Sequence, residues 1–233
     1  METVGWKVVT QQYINLDTEM TFECPEGHRV FAPWKKMRGK YECPTCKNNV
    51  LTKVDNEVKT KPKGATRVLA IDQASHISGY AIFDDGKLVK YGTFRTELND
   101  DVARFSMVKS WLLSMIENWR PDMIGLEGIQ FQEESGGQKM SVTVFQTLAR
   151  LQGILMETCY SAKIKFEVCP TNTWRHSCGV KGRSRTDKKR SMQLLAKQWY
   201  DITVSEDEAD AIGIGHHLVS HIAKNTTVTN WET

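Results

Sequence analysis

Apolar residues fall into runs whose period switches between strand and helix several times after residue 67. "RVLAID" (67–72) is short and almost unbroken, the pattern of a central strand covered on both faces. "GYAIFDD" is a second strand, with Asp85-Gly86 as a hairpin signal, and "KLVKYGTFRT" is a third. Asp84 and Asp85 both read as turn residues. From 101 to 119, Val102, Phe105, Val108, Leu112, Met115, Ile116 and Trp119 recur at helical spacing. Arg120-Pro121 ends that helix, and Trp111 and Trp119 read as core. "DMIGLE" (122–127) is a further apolar strand, and 138–160 is an amphipathic helix through Val142, Phe145, Leu148, Leu151, Leu155 and Cys159. "IKFEVCP" (164–170) is a strand stopped by Pro170, and a helix with a basic start follows at 187–200. The last helix, 205–223, opens on Ser205 as N-cap with Glu208 three residues on, a capping-box spacing. This order of elements predicts an α/β three-layer fold with a mixed sheet.

The first 52 residues form a separate module. "FECPEGHRVFAPWKKMRGKYECPTC" sets Cys24 and His28 on one knuckle and Cys43 and Cys46 on the other, with Phe22, Val30, Phe31, Trp34 and Tyr41 between and beside them. So short a segment buries little apolar surface, and one tetrahedral structural zinc on those four side chains would staple it. Without the ion, the same residues are a cluster of reduced thiols. Residues 53–66 read as a basic linker broken at Lys-Pro-Lys-Gly, and 226–233 as a tail. The remaining cysteines, Cys159, Cys169 and Cys178, lie in apolar or mixed sequence and read as free buried thiols.

Net charge is only +3, so its distribution carries more than its sum. Residues 53–67 hold five basic side chains, and "KGRSRTDKKR" (181–190) holds six against one acid. Each run alone is an ordinary solvated face; two flanking an acidic site suit a polyanionic partner. No apolar run approaches the roughly 20 residues of a membrane span, and a signal-peptide pattern is lacking at the N-terminus. The expectation is a cytoplasmic protein without membrane contact.

Two predicted central strands end on acids, Asp72 and Glu127. The carboxyl ends of strands form the ligand crevice of an open α/β sheet. Asp207 and Asp210 stand at i and i+3 on the last helix and share one face, whereas Glu206 and Glu208 point elsewhere. Taken singly, Asp72 is a turn residue and the two helix acids are favoured by the helix dipole. Taken together, four converging carboxylates repel, and a pair of divalent ions relieves the repulsion. Magnesium prefers such oxygen ligands, and two ions are suited to phosphodiester hydrolysis.

The segments "VLAIDQASHISGYAIFDDGKLVKYGTF", "MIGLEGIQFQ", "LARLQGIL" and "DEADAIGIGHHL" resemble, in order and spacing, the RuvC family of Holliday junction resolvases within the RNase H-like nuclease superfamily. The resemblance covers roughly residues 67–225 and implies an RNase H-like fold with a mixed five-stranded sheet between helices, preceded here by the small zinc-ribbon-like domain. Carried over by position, Asp72, Glu127, Asp207 and Asp210 are the catalytic metal ligands for two Mg²⁺ or Mn²⁺ ions. The implied enzyme is a homodimeric crossover junction endodeoxyribonuclease acting on four-way DNA. Phe131, an apolar side chain on the polar loop "GIQFQEESGGQKM", corresponds to an aromatic that probes the junction centre. Arg175, Lys181, Arg183, Arg185, Lys188 and Lys189 are the expected DNA contacts. Two departures stand out: Gln73-Ala74 replaces the Pro-Gly that usually follows the first Asp, as in phage versions, and bacterial members lack the zinc module. A phage-type variant working in a host cytoplasm is the expectation.

Other readings of the same residues are a nuclease for forks and flaps, a non-catalytic junction-binding protein and an actin-like ATPase. The last also begins with strand, acid and hairpin, but its second phosphate loop and Gly-rich adenosine motif are not found in the sequence. His216 and His217 follow Asp210 by one to two turns; each either lines the site or is a satisfied helix histidine.

Overall fold

The computed structural model describes residues 5–9, 15–17, 19–25, 29–37, 43, 60–129 and 141–224. The chain divides into two compact units, Met1–Asn56 and Glu57–Thr233. Among the described residues, no helix is long and apolar enough to cross a membrane.

In the first unit, β1 (Lys7–Val8), β2 (Glu19–Glu23) and β3 (Arg29–Pro33) form an antiparallel sheet in that order, and a single turn of helix, α1 (Trp34–Met37), follows. Alternation along β2 puts Met20, Phe22 and Cys24 on one face, and all three are buried. Met20, Phe22, Ala32 and Met37 make a small core flanked by Trp6 and Trp34. Phe22 and Trp34 lie with ring centroids 5.6 Å apart. Cys43 is buried as well. His28 and Cys46 lie outside the described residues.

The second unit holds a five-stranded mixed sheet built from β4 (Arg67–Asp72), β5 (Ile77–Asp84), β6 (Lys87–Arg95), β7 (Met123–Gly128) and β8 (Lys165–Pro170). The strand order is β6-β5-β4-β7-β8; the first two pairings are antiparallel and the last two parallel. The helices are α2 (Asp101–Trp119), α3 (Val142–Ser161), α4 (Thr171–Cys178), α5 (Arg185–Tyr200) and α6 (Glu206–Lys224). This is the predicted three-layer plan, with one addition: α4 occupies residues to which the sequence pattern assigns no element. Residues 171–178 are mostly polar, and their apolar contribution reduces to Trp174 and Cys178, too short a signal for a period.

The two faces of β4 explain its unbroken apolar run. Val68 and Ala70 pack with Phe83, Trp174, Ile212, Ile214 and Leu218 on the α6 side. On the other side, Trp111 of α2 stacks on Phe94 at 5.0 Å and meets Tyr80 at 5.9 Å. Helix α6 lies directly on the sheet because it offers glycine there: a Cβ on Gly215 would stand 2.1 Å from the Phe83 ring. Burial is less complete at the helix starts. Val102 is 73% exposed, and Val142 and Val144 of α3 are 59% and 49% exposed, so the apolar face of each helix begins later than the sequence period implies.

The hairpin turn is tighter than the Asp-Asp-Gly sequence suggested. Asp85 (φ 45°) and Gly86 (φ 81°) occupy the left-handed region that a two-residue primed turn requires. Asp84 is no turn residue: it is the last residue of β5 and is buried. Arg67, only 1% exposed, grips it from the neighbouring strand, Nε donating to Oδ1 at 2.6 Å and Nη2 to Oδ2 at 2.7 Å. Nη1 donates to the Trp119 carbonyl at 2.9 Å, and the guanidinium lies 5.4 Å from the Trp119 ring centre. This pair ties β4, β5 and the end of α2 together at the edge of the sheet opposite Asp72. Removing one partner leaves a buried charge, so Asp84→Ala should cost about 3–5 kcal/mol of stability in urea unfolding; a loss below about 1 kcal/mol would show the pair to be dispensable.

Candidate active site

The carboxylates converge because three independent backbone features deliver them. Asp72 and Gly79 are register partners at the end of the β4–β5 ladder. Gly79 has no side chain, and a Cβ there would stand 2.0 Å from the backbone oxygen of Asp207. The bare backbone of β5 therefore admits the first turn of α6 directly beside Asp72. The predicted capping box fixes that turn: Ser205 N donates to Glu208 Oε2 at 2.8 Å, and Glu208 N to Ser205 Oγ at 3.3 Å. Glu127 arrives one strand away, just beyond the β4–β7 register pair Ile71–Leu126.

The side chain of Gln73 extends that parallel ladder by one rung. Glu127 N donates to Gln73 Oε1 at 2.9 Å, and Gln73 Nε2 donates back to the Glu127 carbonyl. Gln152 of α3 donates to the same carbonyl at 3.0 Å. Gln73 is 5% exposed. A side-chain amide thus does the work of a backbone peptide and holds Asp72 and Glu127 in register. A Pro-Gly turn has no side chain that could do this.

Burial and mutual repulsion set the electrostatics. The Asp72 carboxyl is pushed well above the ordinary aspartate range by burial first, then by Glu127, Asp210 and Asp207. Asp210 is pushed up to about 6 by burial and Glu127, against the pull of Arg175 and Lys189. Asp210 Oδ2 takes a 3.3 Å contact from Arg175 Nη2, while its buried Oδ1 has no partner among the described residues. The remaining orienting contacts come from α4. Trp174 Nε1 donates to Glu127 Oε1 at 3.2 Å, Thr171 Oγ1 ties the helix start to the Gly128 carbonyl at 3.0 Å, and the Arg175 guanidinium lies 5.0 Å from the Trp174 ring centre. Trp174 carries no mark in the sequence because it sits in a short polar segment, and Gln73 stands out there only as part of the Gln73-Ala74 departure, with nothing to show its partner.

The basic candidates divide. Lys189 donates to Glu206 Oε2 at 2.6 Å at the start of α6. Lys181, Arg183 and Arg185 are exposed and Lys188 is half-buried around the start of α5, where Ser184 and Asp187 form a reciprocal cap. Arg175 faces the carboxylates as described. Phe131 and its loop lie outside the described residues. His216 stacks on Trp199 at 4.0 Å and meets the Tyr200 hydroxyl at 3.2 Å, and buried His217 meets Ser177 Oγ at 2.6 Å. Each ring thus has a partner within the fold at Nδ1. Cys159, Cys169 and Cys178 are buried free thiols, pushed up to about 12, 12 and 11 chiefly by burial.

The second unit has the RuvC-like, RNase H-like α/β fold. Its strand order, its crevice and its similarities agree on this. The chain is 27% identical over 172 residues to the crossover junction endodeoxyribonuclease RuvC of Halorhodospira halophila, covering 70% of this chain and 97% of that one. It is 25% identical over 153 residues to the enzyme of the same name from Thermomicrobium roseum, covering 64% and 89%. Among solved structures, Thermus thermophilus RuvC in complex with a Holliday junction substrate superposes with a TM-score of 0.55 at 13% identity, over 70% of this chain and 97% of that one. The yeast mitochondrial Holliday junction resolvase gives 0.50 at 15% identity, over 69% and 80%. No family model matches the chain.

Two outcomes are expected. Gln73→Leu strips partners from the Glu127 backbone in a buried setting and should cost about 1–3 kcal/mol in chemical denaturation; unchanged stability would remove the rung. The second concerns pH in chelator. Between about 4 and about 6, folded Asp210 keeps a proton that the unfolded chain has released, so its contribution to stability falls as pH rises through that window. Asp210→Asn should therefore match the parent near pH 4 and exceed it in Tm at pH 7. A gap independent of pH would contradict the raised carboxyl.

Proposed function

We propose that the second unit is a divalent-metal-dependent, structure-selective DNA endonuclease that resolves four-way junctions. The observation that carries this reading is the carboxylate crevice itself. Asp72 and Asp210 are held in a setting that disfavours their charge, and Asp210 Oδ1 is buried with no partner among the described residues. An all-oxygen, multiply anionic donor set of this kind fits magnesium or manganese. Asp72, Glu127, Asp207 and Asp210 would hold two such ions. When bound, the ions supply Lewis-acid charge for hydrolysis of a phosphodiester.

The chain's own residues supply the rest. Gln73 and Trp174 orient Glu127 through its backbone and its carboxylate respectively. Arg175 partly neutralises Asp210 and stands at the crevice where a phosphate would approach. Exposed Lys181, Arg183 and Arg185, with Lys188 and Lys189, give the region around the α5 start a positive field for backbone phosphates, which fixes DNA in place without reading its sequence. Phe131 is assigned the junction-probing role by analogy with the family. A homodimer would offer one site to each of two strands, and the exposed Val142 and Val144 of α3 give it apolar surface. The names of the relatives favour four-way DNA over forks and flaps, and the four intact carboxylates favour a nuclease over a non-catalytic binder.

For the first unit we propose one structural zinc on Cys24, His28, Cys43 and Cys46, supported by the burial of Cys24 and Cys43 beside a small core that, among the described residues, holds Met20, Phe22, Ala32 and Met37. Its role would be contact with DNA or with a partner protein.

Two comparisons test these assignments. Asp72→Asn should reduce junction cutting to background while gel-shift affinity for the junction survives, since it removes a ligand and a repulsive charge together. Cutting at the parental rate would refute the metal site. Cys43→Ser should abolish zinc retention by the first unit and leave Asp72-dependent cutting chemistry intact; a variant that keeps its zinc would refute the ligand set.

A further inference from the structure

We infer that Glu167, Cys169 and His217 form a second metal site, distinct from the carboxylate crevice and suited to a borderline transition ion such as zinc or cobalt. One donor atom from each of the three residues lies within 4.8 Å of the other two. Glu167 and Cys169 alternate along edge strand β8 and so project from the same face, and His217 reaches them from α6. Two elements well separated in the chain thus place an oxygen, a sulfur and a nitrogen donor together.

The hydrogen bonds around His217 set it up as a ligand. Ser177 Oγ donates its single proton to the Trp174 carbonyl at 3.0 Å. With its proton on that carbonyl, Ser177 Oγ would accept an N–H from His217 Nδ1 across their 2.6 Å contact. In that tautomer Nδ1 carries the proton and Nε2 keeps its lone pair. An imidazole oriented through one nitrogen by a hydrogen bond and open at the other is the usual state of a metal-ligating histidine.

The burial pattern fits an ion with an open side. Cys169 and His217 are 0% and 3% exposed, while Glu167 is exposed. His221, one helical turn beyond His217 and exposed, lies with its ring centroid 4.3 Å from that of His217. It stands at the i, i+4 spacing that puts two side chains on one helix face, beside the three donors rather than among them. Bond lengths of about 2.0–2.3 Å to nitrogen and sulfur would draw the three donors together by about an ångström of side-chain movement. A mixed sulfur, nitrogen and oxygen set selects zinc-class ions over magnesium, which takes oxygen ligands. An ion here would clamp β8 to α6, the helix that carries Asp207 and Asp210, and so brace the crevice from outside it.

The test uses the full chain, stripped with chelator and titrated with Co²⁺. The parent should bind one equivalent more than Cys169→Ser, and the difference spectrum between them should contain a thiolate-to-cobalt charge-transfer band. Glu167→Gln, at an exposed position that leaves the fold untouched, and His217→Gln should each weaken that equivalent at least about tenfold. Ser177→Ala should weaken it about tenfold while leaving the number of sites unchanged. Equal stoichiometry and an identical thiolate band in the parent, Cys169→Ser and Glu167→Gln would overturn the site, because every bound ion would then belong to the first unit or to the carboxylates.

Discussion

The arrangement of the second unit turns on a repulsion: several carboxylates are held at the carboxyl edge of one sheet, in a setting that disfavours their charge. Asp72 and Asp210 are both raised above the ordinary range, and the cause is burial compounded by their acidic neighbours. Such a cluster persists only if the backbone enforces it. Gly79 admits the first turn of α6, the Ser205–Glu208 box fixes that turn, and Gln73 locks Glu127 to the end of β4. At the far edge of the sheet, the buried Arg67–Asp84 pair anchors the same strands. The stability given up at the crevice is what makes it receptive to cations.

If the crevice holds ions as proposed, two jobs separate. The ions would supply charge, and the protein would supply geometry and access. Helix α4 carries most of the second job. Its Trp174 reaches Glu127, its Arg175 reaches Asp210, and its Ser177 meets His217. One short polar helix therefore touches both the carboxylate crevice and the Glu167–Cys169–His217 cluster.

Much of this was legible in the sequence, for physical reasons. The β4 and β7 runs are apolar because both faces are covered, and their terminal acids stand out against that background. The i, i+3 pair on α6 follows from helix geometry and its capping box from Ser205 and Glu208. What escaped were features whose meaning lies in a partner distant in sequence. Gln73 is a turn residue until Glu127 is placed opposite it, and Asp84 is a turn acid until Arg67 is seen beneath it. The α4 segment has too few apolar positions to show a period, and its value lies in which side chains its one buried face lets it aim. Val102 and Val142 mark the opposite error, where an apolar residue in helical phase remains at the surface.

The most direct measurement is cleavage of an end-labelled four-way junction by the full chain, beside linear duplex and flap DNA of the same sequence, with magnesium and with chelator. The account predicts paired cuts in opposing strands of the junction, dependent on magnesium and abolished by chelator, with the linear duplex left intact. Cutting of the duplex at the junction's rate, or junction cutting undiminished in chelator, would contradict it.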